Sequence, residues 1–135
     1  MSAQGDEALV RRLFEEVWNQ HDPETAKEIV ADHYASIENR DFDATPGPKI
    51  VADEVELYDS LYDDLKFQVD RTFTSGGTIV TTWSATGLSK DVFFTNRKGE
   101  TVPKELKADG VSLSRVKDRR ITAHRFLWPR DPLFP

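Results

Sequence analysis

Two residues in the last third of the chain could do acid–base chemistry together: Asp109, in ELKADGVSLSRV (105–116), and His124, in ITAHRFLW (121–128). A carboxylate in apolar surroundings loses hydration, so its pKa rises and it becomes a usable acid or base near neutral pH. An imidazole beside it can pass the proton on or donate to a developing oxyanion. Counting by twos, Lys107, Asp109, Val111 and Leu113 share one face of a strand, and Ala108, Gly110, Ser112 and Ser114 share the other. The carboxylate therefore lies with the larger apolar groups, either lining a cavity or at a solvated rim beside Lys107.

The closing hairpin decides what faces it. A two-residue turn at Asp118-Arg119 sets Leu113 opposite His124, Val111 opposite Phe126 and Asp109 opposite Trp128. A three-residue turn sets Leu113 opposite Ala123, Val111 opposite Arg125 and Asp109 opposite Leu127. The sequence leaves both pairings open. In the cavity reading, Asp109 is the base or proton shuttle and His124 its partner or an oxyanion donor. Trp18, Tyr34, Tyr58, Phe73, Trp83, Phe126 and Trp128 are the candidate lining of an apolar, substrate-binding pocket.

Positioning these residues requires helices first and strands afterwards. Leu9, Val10, Leu13, Phe14, Val17 and Trp18 form an amphipathic helical stripe. Asp22-Pro23 reads as an N-cap followed by proline at the first helical position, opening a short helix to about Val30. Tyr34 to Asn39 could be a short strand, and Asp41 to Pro48 is a loop. Ile50, Val51, Val55, Leu57, Tyr58, Leu61 and Leu65 give a third helical stripe. The period then changes to two: Phe67, Val69 and Phe73 alternate with polar residues, Ser75-Gly76-Gly77 makes a turn, and Thr78 to Thr86 is β-branched around Trp83. Asn96 to Gly99 forms another turn, and Ile121 to Trp128 is the last strand. This order predicts one α+β domain over 1–135, three N-terminal helices packed on a curved antiparallel sheet. Residues 129–135 form a proline-rich tail whose Leu133 and Phe134 pack on the domain or on a partner subunit.

Composition narrows the chemistry. With 24 acidic and 18 basic residues the net charge is -6, which disfavours a phosphate backbone as partner. Lys117, Arg119 and Arg120, and Arg97 with Lys98, read as solvated hairpin tips. No cysteine is present, so disulfides and thiolate chemistry are excluded. Neither a nucleophile elbow nor a phosphate-binding glycine loop occurs. His21, His33 and His124 lack metal-ligand spacing. The start MSAQGDEALV has no apolar stretch after a basic one, and no run approaches the roughly 20 apolar residues of a membrane span, so a cytoplasmic, non-membrane protein is expected.

The stretches VRRLFEEVWNQHDPETAKEIVADHY, GPKIVADEVELYDSLYDDLKFQVD, TTWSATG and DGVSLSRVKDRRITAHRFLW together resemble the SnoaL-like polyketide cyclases and related ester cyclases, in the superfamily of nuclear transport factor 2 and ketosteroid isomerase. The resemblance covers most of the chain in the right order. It implies a cone-shaped α+β barrel with a deep apolar pocket, a homodimer without metal or organic cofactor, and a hydrophobic small-molecule substrate. The implied chemistry is proton abstraction next to a carbonyl and closure or isomerisation of a polyketide-like substrate. Asp109 matches the polar pocket position of the penultimate strand, and His124 the histidine of the last. Ala123 and Ile37 stand where many members carry an acidic residue and a histidine. Lys107-Ala108-Asp109 is a partial echo of the epoxide-opening branch, for which Glu38 or Asp91 would supply a second carboxylate. A non-catalytic binding or dimerisation module of the same fold is the rival expectation.

Overall fold

In the computed structural model, which describes residues 3–36 and 47–128, the first helical stripe is continuous but not uniform. Helix α1 (Ala3–Arg12) runs into a π-helical segment, Leu13–Trp18, and Leu13, Phe14, Val17 and Trp18 are all buried. One wider turn lets both aromatic residues of this stretch face inward. Asn19 ends it by gripping the sheet: its Nδ2 donates to the Phe67 carbonyl at 2.7 Å, and its Oδ1 accepts from the Phe67 N–H at 2.8 Å.

Helix α2 (Pro23–Ile29) begins as the sequence predicts. Asp22 Oδ1 accepts from the N–H groups of Glu24 and Thr25, at 3.1 and 3.2 Å. Hydrogen bonds to the ionised form, from the Thr25 hydroxyl and from these backbone groups, hold the Asp22 carboxyl below its usual range. Strand β1 (Val30–Ser36) follows at once, earlier than the stretch expected from Tyr34 to Asn39, whose last three residues lie outside the described ones. Gly47, with φ 110°, then admits the chain to helix α3 (Pro48–Leu61). A Cβ on Gly47 would sit 2.9 Å from the Asp32 carbonyl oxygen, so the position demands glycine. Of the loop expected from Asp41 to Pro48, residues 41–46 lie outside the described ones, and Pro48 already belongs to α3. Leu65 belongs not to the third helix but to strand β2 (Tyr62–Ser75).

Strands β3 (Thr78–Thr95), β4 (Thr101–Lys117) and β5 (Arg120–Leu127) complete one sheet in the order β1-β5-β4-β3-β2. It is mixed rather than antiparallel throughout, because β1 pairs with β5 in parallel. The curved, unclosed sheet carries the helices on its concave face, as the α+β expectation requires. The core lies between them: Val10, Phe14, Trp18 and Ile29 from the helices meet Phe67, Ile79, Trp83, Leu106, Ile121 and Phe126 from the sheet.

Two bulges alter which side chains reach that face. Val69 pairs with Trp83 but Arg71 with Thr82, so Asp70 is an extra residue in β2. It turns Phe73 outward, 44% exposed, although simple alternation puts it with Phe67. In the last hairpin, Lys117 pairs with Arg120 across a two-residue turn in which Asp118 and Arg119 both have positive φ, 52° and 65°. Val116 pairs with Ile121 but Arg115 with Ala123, leaving Thr122 as the extra residue. The register is thus neither expected alternative: Leu113 faces Arg125, and His124 faces Ser114.

Candidate active site

The faces of β4 are assigned correctly by alternation, but the inward face is the one with small residues. Ala108, Ser112 and Ser114 are buried, whereas Lys107 and Asp109 are exposed on the convex side. Volume explains this. The ring of Trp83 lies over Gly110 so closely that a Cβ there would be 2.4 Å from it, and Trp83 packs 5.2 Å from Phe67, 5.8 Å from Phe126 and 4.8 Å from Trp128. Bulky neighbours occupy the space that larger β4 side chains would need. Asp109 consequently does not meet His124: it opposes Ser84 across β3, on the far side of the sheet.

His124 is where chemistry is concentrated. The residue is only 3% exposed, its ring packed edge-on against Phe14 (5.6 Å between centroids) and Phe126 (4.6 Å). Nδ1 lies 2.8 Å from Ser114 Oγ, and Nε2 is shut off from solvent with no hydrogen-bond partner among the described residues. Burial pushes its pKa down to about 3, so the ring is neutral at ordinary pH. The tautomer follows from counting orphan groups. If the Ser114 hydroxyl donates to Nδ1, only the Nε2–H lacks a partner; in the opposite assignment the serine proton and Nε2 both do. We assign the first, which leaves a neutral N–H donor in an aromatic enclosure. Such a donor can stabilise an oxyanion without carrying a charge of its own.

An open hollow of about 180 Å³ lies behind this pair on the convex side of the sheet, lined by Thr78, Leu113, Arg115, Ala123 and Arg125, whereas the Ser114 hydroxyl and the His124 ring face the other way, into the core. A second hydroxyl stands beside the first on β4: Ser112 Oγ accepts from Trp83 Nε1–H at 2.9 Å. Tyr58 and Trp128, both half-buried, stack at 6.1 Å at the edge of the aromatic cluster, and Trp18 touches Tyr58, Phe67 and Phe126 at 5.3 to 5.5 Å.

Of the expected lining residues, Trp18, Tyr58, Trp83, Phe126 and Trp128 thus form one cluster, and Tyr34 is buried in the same core. Phe73 is apart, on the convex face. Ile37 and Glu38 lie outside the described residues, and Asp91 is exposed in the irregular stretch of β3 between Leu88 and Phe93, where Ser89 Oγ accepts from the N–H groups of Asp91 and Val92. Sequence reasoning missed Ser114, Ser112 and the buried carboxylate Glu54 on α3. Glu54 was detectable, since it falls four residues after Ile50 and four before Tyr58 on the apolar stripe. Among the described residues no three His, Asp or Glu side chains converge into a metal-holding group, and no helix is long and apolar enough to cross a membrane.

This architecture is the ketosteroid isomerase-like α+β fold. It is shared with a ketosteroid isomerase-like protein from Catenulispora acidiphila solved with trimethylamine (12% identity, 93% of this chain and 88% of that one, TM-score 0.71). A candidate polyketide cyclase from Acidithiobacillus ferrooxidans is 20% identical over 99% of this chain and 95% of its own, with TM-score 0.72. Wild-type IdmH, a candidate polyketide cyclase from Streptomyces antibioticus, is 21% identical over 93% and 91%, with TM-score 0.70. No curated protein matches the chain in sequence at a significant level. The family model of the SnoaL-like polyketide cyclases matches residues 8–132, and the chain belongs to that family.

Proposed function

We propose that the protein is a cofactor-independent acid–base enzyme that cyclises or isomerises a polyketide-like carbonyl compound, with the Nε2–H of His124 donating to the enolate oxygen. The observation that carries this reading is the neutral, buried imidazole whose Nδ1 is committed to Ser114 while Nε2 is uncommitted among the described residues. A neutral donor in low dielectric matches an oxyanion that exists only during reaction. Family membership supports the reaction class. Trp18, Tyr34, Tyr58, Trp83, Phe126 and Trp128 surround the substrate; their rings pack on one another, so binding parts them, beginning with the half-buried Tyr58 and Trp128. Asp109, exposed on the convex face, has no part in this mechanism.

The test is a screen of polyketide-like β-dicarbonyl compounds against the parent, His124→Phe and Asp109→Asn. Turnover lost in His124→Phe and kept in Asp109→Asn supports the reading, and the reverse pattern removes it. The close packing of the aromatic interior favours one other reading, a non-catalytic module. Such a module would be stabilised by a ligand as its concentration rises above Kd but would leave it unchanged.

The same reading includes a homodimer joined through the convex face. There Phe73, Val80, Leu113, Val111 and Leu127 form an apolar patch across four strands, since Val80 pairs with both Phe73 and Leu113, and Val111 with Leu127. Arg115 and Arg125 lie toward one end of it and Asp109 toward the other. A two-fold axis through the patch would bring the arginines of one copy to the aspartate of the next.

A further inference from the structure

Asp6 and Val10 of helix α1 and Phe14 of the π-helical segment that continues it fall at intervals of four, a single stripe. Phe14, at one end of it, touches the His124 ring. At the other end, Glu7 Oε2 accepts from Thr74 Oγ1 at 2.6 Å, which fixes the start of α1 over the end of β2. Asp6, next to it, has Oδ1 shut off from solvent with no hydrogen-bond partner among the described residues. Beneath lies a row of hydroxyls across three strands: Thr72 pairs with Thr81, and Thr81 with Ser112. Thr81 has no exposed surface, and the Oγ1 atoms of both threonines are orphaned in the same way. One step along the strands, Ser114 pairs with His124, whose Nε2 is the fourth orphan.

Buried polar atoms without partners are rare, because each has given up its hydration for nothing. Three on the concave face of the sheet, two of them on paired residues, and a fourth on the helix above it point to a common occupant that both donates and accepts. Among the described residues no side chain fills that role. Water does, and a polar site with several partners is where internal water is held.

We propose that ordered water occupies the concave face beneath α1, held by Asp6, Thr72 and Thr81, and that it connects Asp6 to His124 Nε2 as a proton path. Each water takes one proton and releases another, so protons exchange between solvent and the imidazole without charge building up between them. The use of this path in turnover rests on the role proposed for His124; the water and its proton exchange do not.

Both are read without substrate. Water-17O relaxation dispersion detects long-lived internal water. The parent should show it, and Thr72→Val/Thr81→Val, isosteric changes that keep the packing, should reduce it. No dispersion in the parent, or the same dispersion in the double variant, overturns the site. In 15N-histidine-labelled protein, the ring proton of His124, identified by its loss in His124→Phe, should exchange with solvent more slowly in Asp6→Asn and in the double variant. Unchanged exchange in both overturns the path. A protein that passes these tests yet turns over no carbonyl substrate contradicts only the catalytic reading.

Discussion

His124 stays neutral because its surroundings would have to solvate an imidazolium with aromatic rings and one hydroxyl. The unfolded chain has no such restraint and binds a proton near pH 6.5, whereas the folded state resists until about pH 3. Between those values the unfolded state holds more protons, so stability is complete above pH 6.5 and is lost as pH falls. The loss is about 2 kcal/mol from pH 6.5 to pH 5. Urea denaturation at the two pH values should show it in the parent and not in His124→Gln. Gly110 is the other residue whose surroundings set its identity. A Cβ there would stand 2.4 Å from the Trp83 ring and 3.0 Å from the Leu127 carbonyl oxygen, so Gly110→Ala forces the indole aside. It should cost about 1–3 kcal/mol by denaturation and alter the near-ultraviolet circular dichroism of the tryptophan cluster.

Among the elements, β2 is gripped near its middle by one side chain of the helical layer. Asn19 satisfies both backbone groups of Phe67, and its own carbonyl accepts from Lys66 Nζ at 2.8 Å. Asn19→Ala strips two partly buried backbone groups of their partners and should destabilise by about 1–3 kcal/mol, with an unchanged dependence on urea. Element types are legible in the sequence because periodicity and turn chemistry are local: the helical stripes, the third only as far as Leu61, the Asp22-Pro23 start, the Ser75-Gly76-Gly77 turn and the Asp118-Arg119 turn all stand in the structure. What is illegible comes from the bulges. One extra residue, Asp70 or Thr122, reverses every later side chain relative to simple alternation, and no residue type announces either. This is why alternation puts Phe73 in the pocket and why neither expected register of the last hairpin holds. The inward face of β4 is hidden for a second reason: Gly110, Ser112 and Ser114 look like a solvent face until Trp83 and His124, distant in sequence, are laid over them.

For the molecule as a whole, the convex patch predicts association. Phe73→Arg should convert a dimer to a monomer in sedimentation without changing the circular dichroism, because Phe73 is 44% exposed in the isolated chain and outside the core. A parent that sediments as a monomer at high concentration removes the proposed dimer.

Strand β4 is longer than its neighbour β5, whose pairing begins only at Val111. Among the described residues, 101–110 therefore have β3 on one side and no strand on the other. Such a margin invites another chain to extend the sheet. Pro103 has no N–H to offer a newcomer, and Lys104, Glu105, Lys107 and Asp109 would have to lose water or meet like charges if a second copy lay alongside. Removing such charges, as in Asp109→Val, should make concentrated protein more prone to fibrils, read by thioflavin T fluorescence, and an unchanged lag time would show that the margin is protected without it.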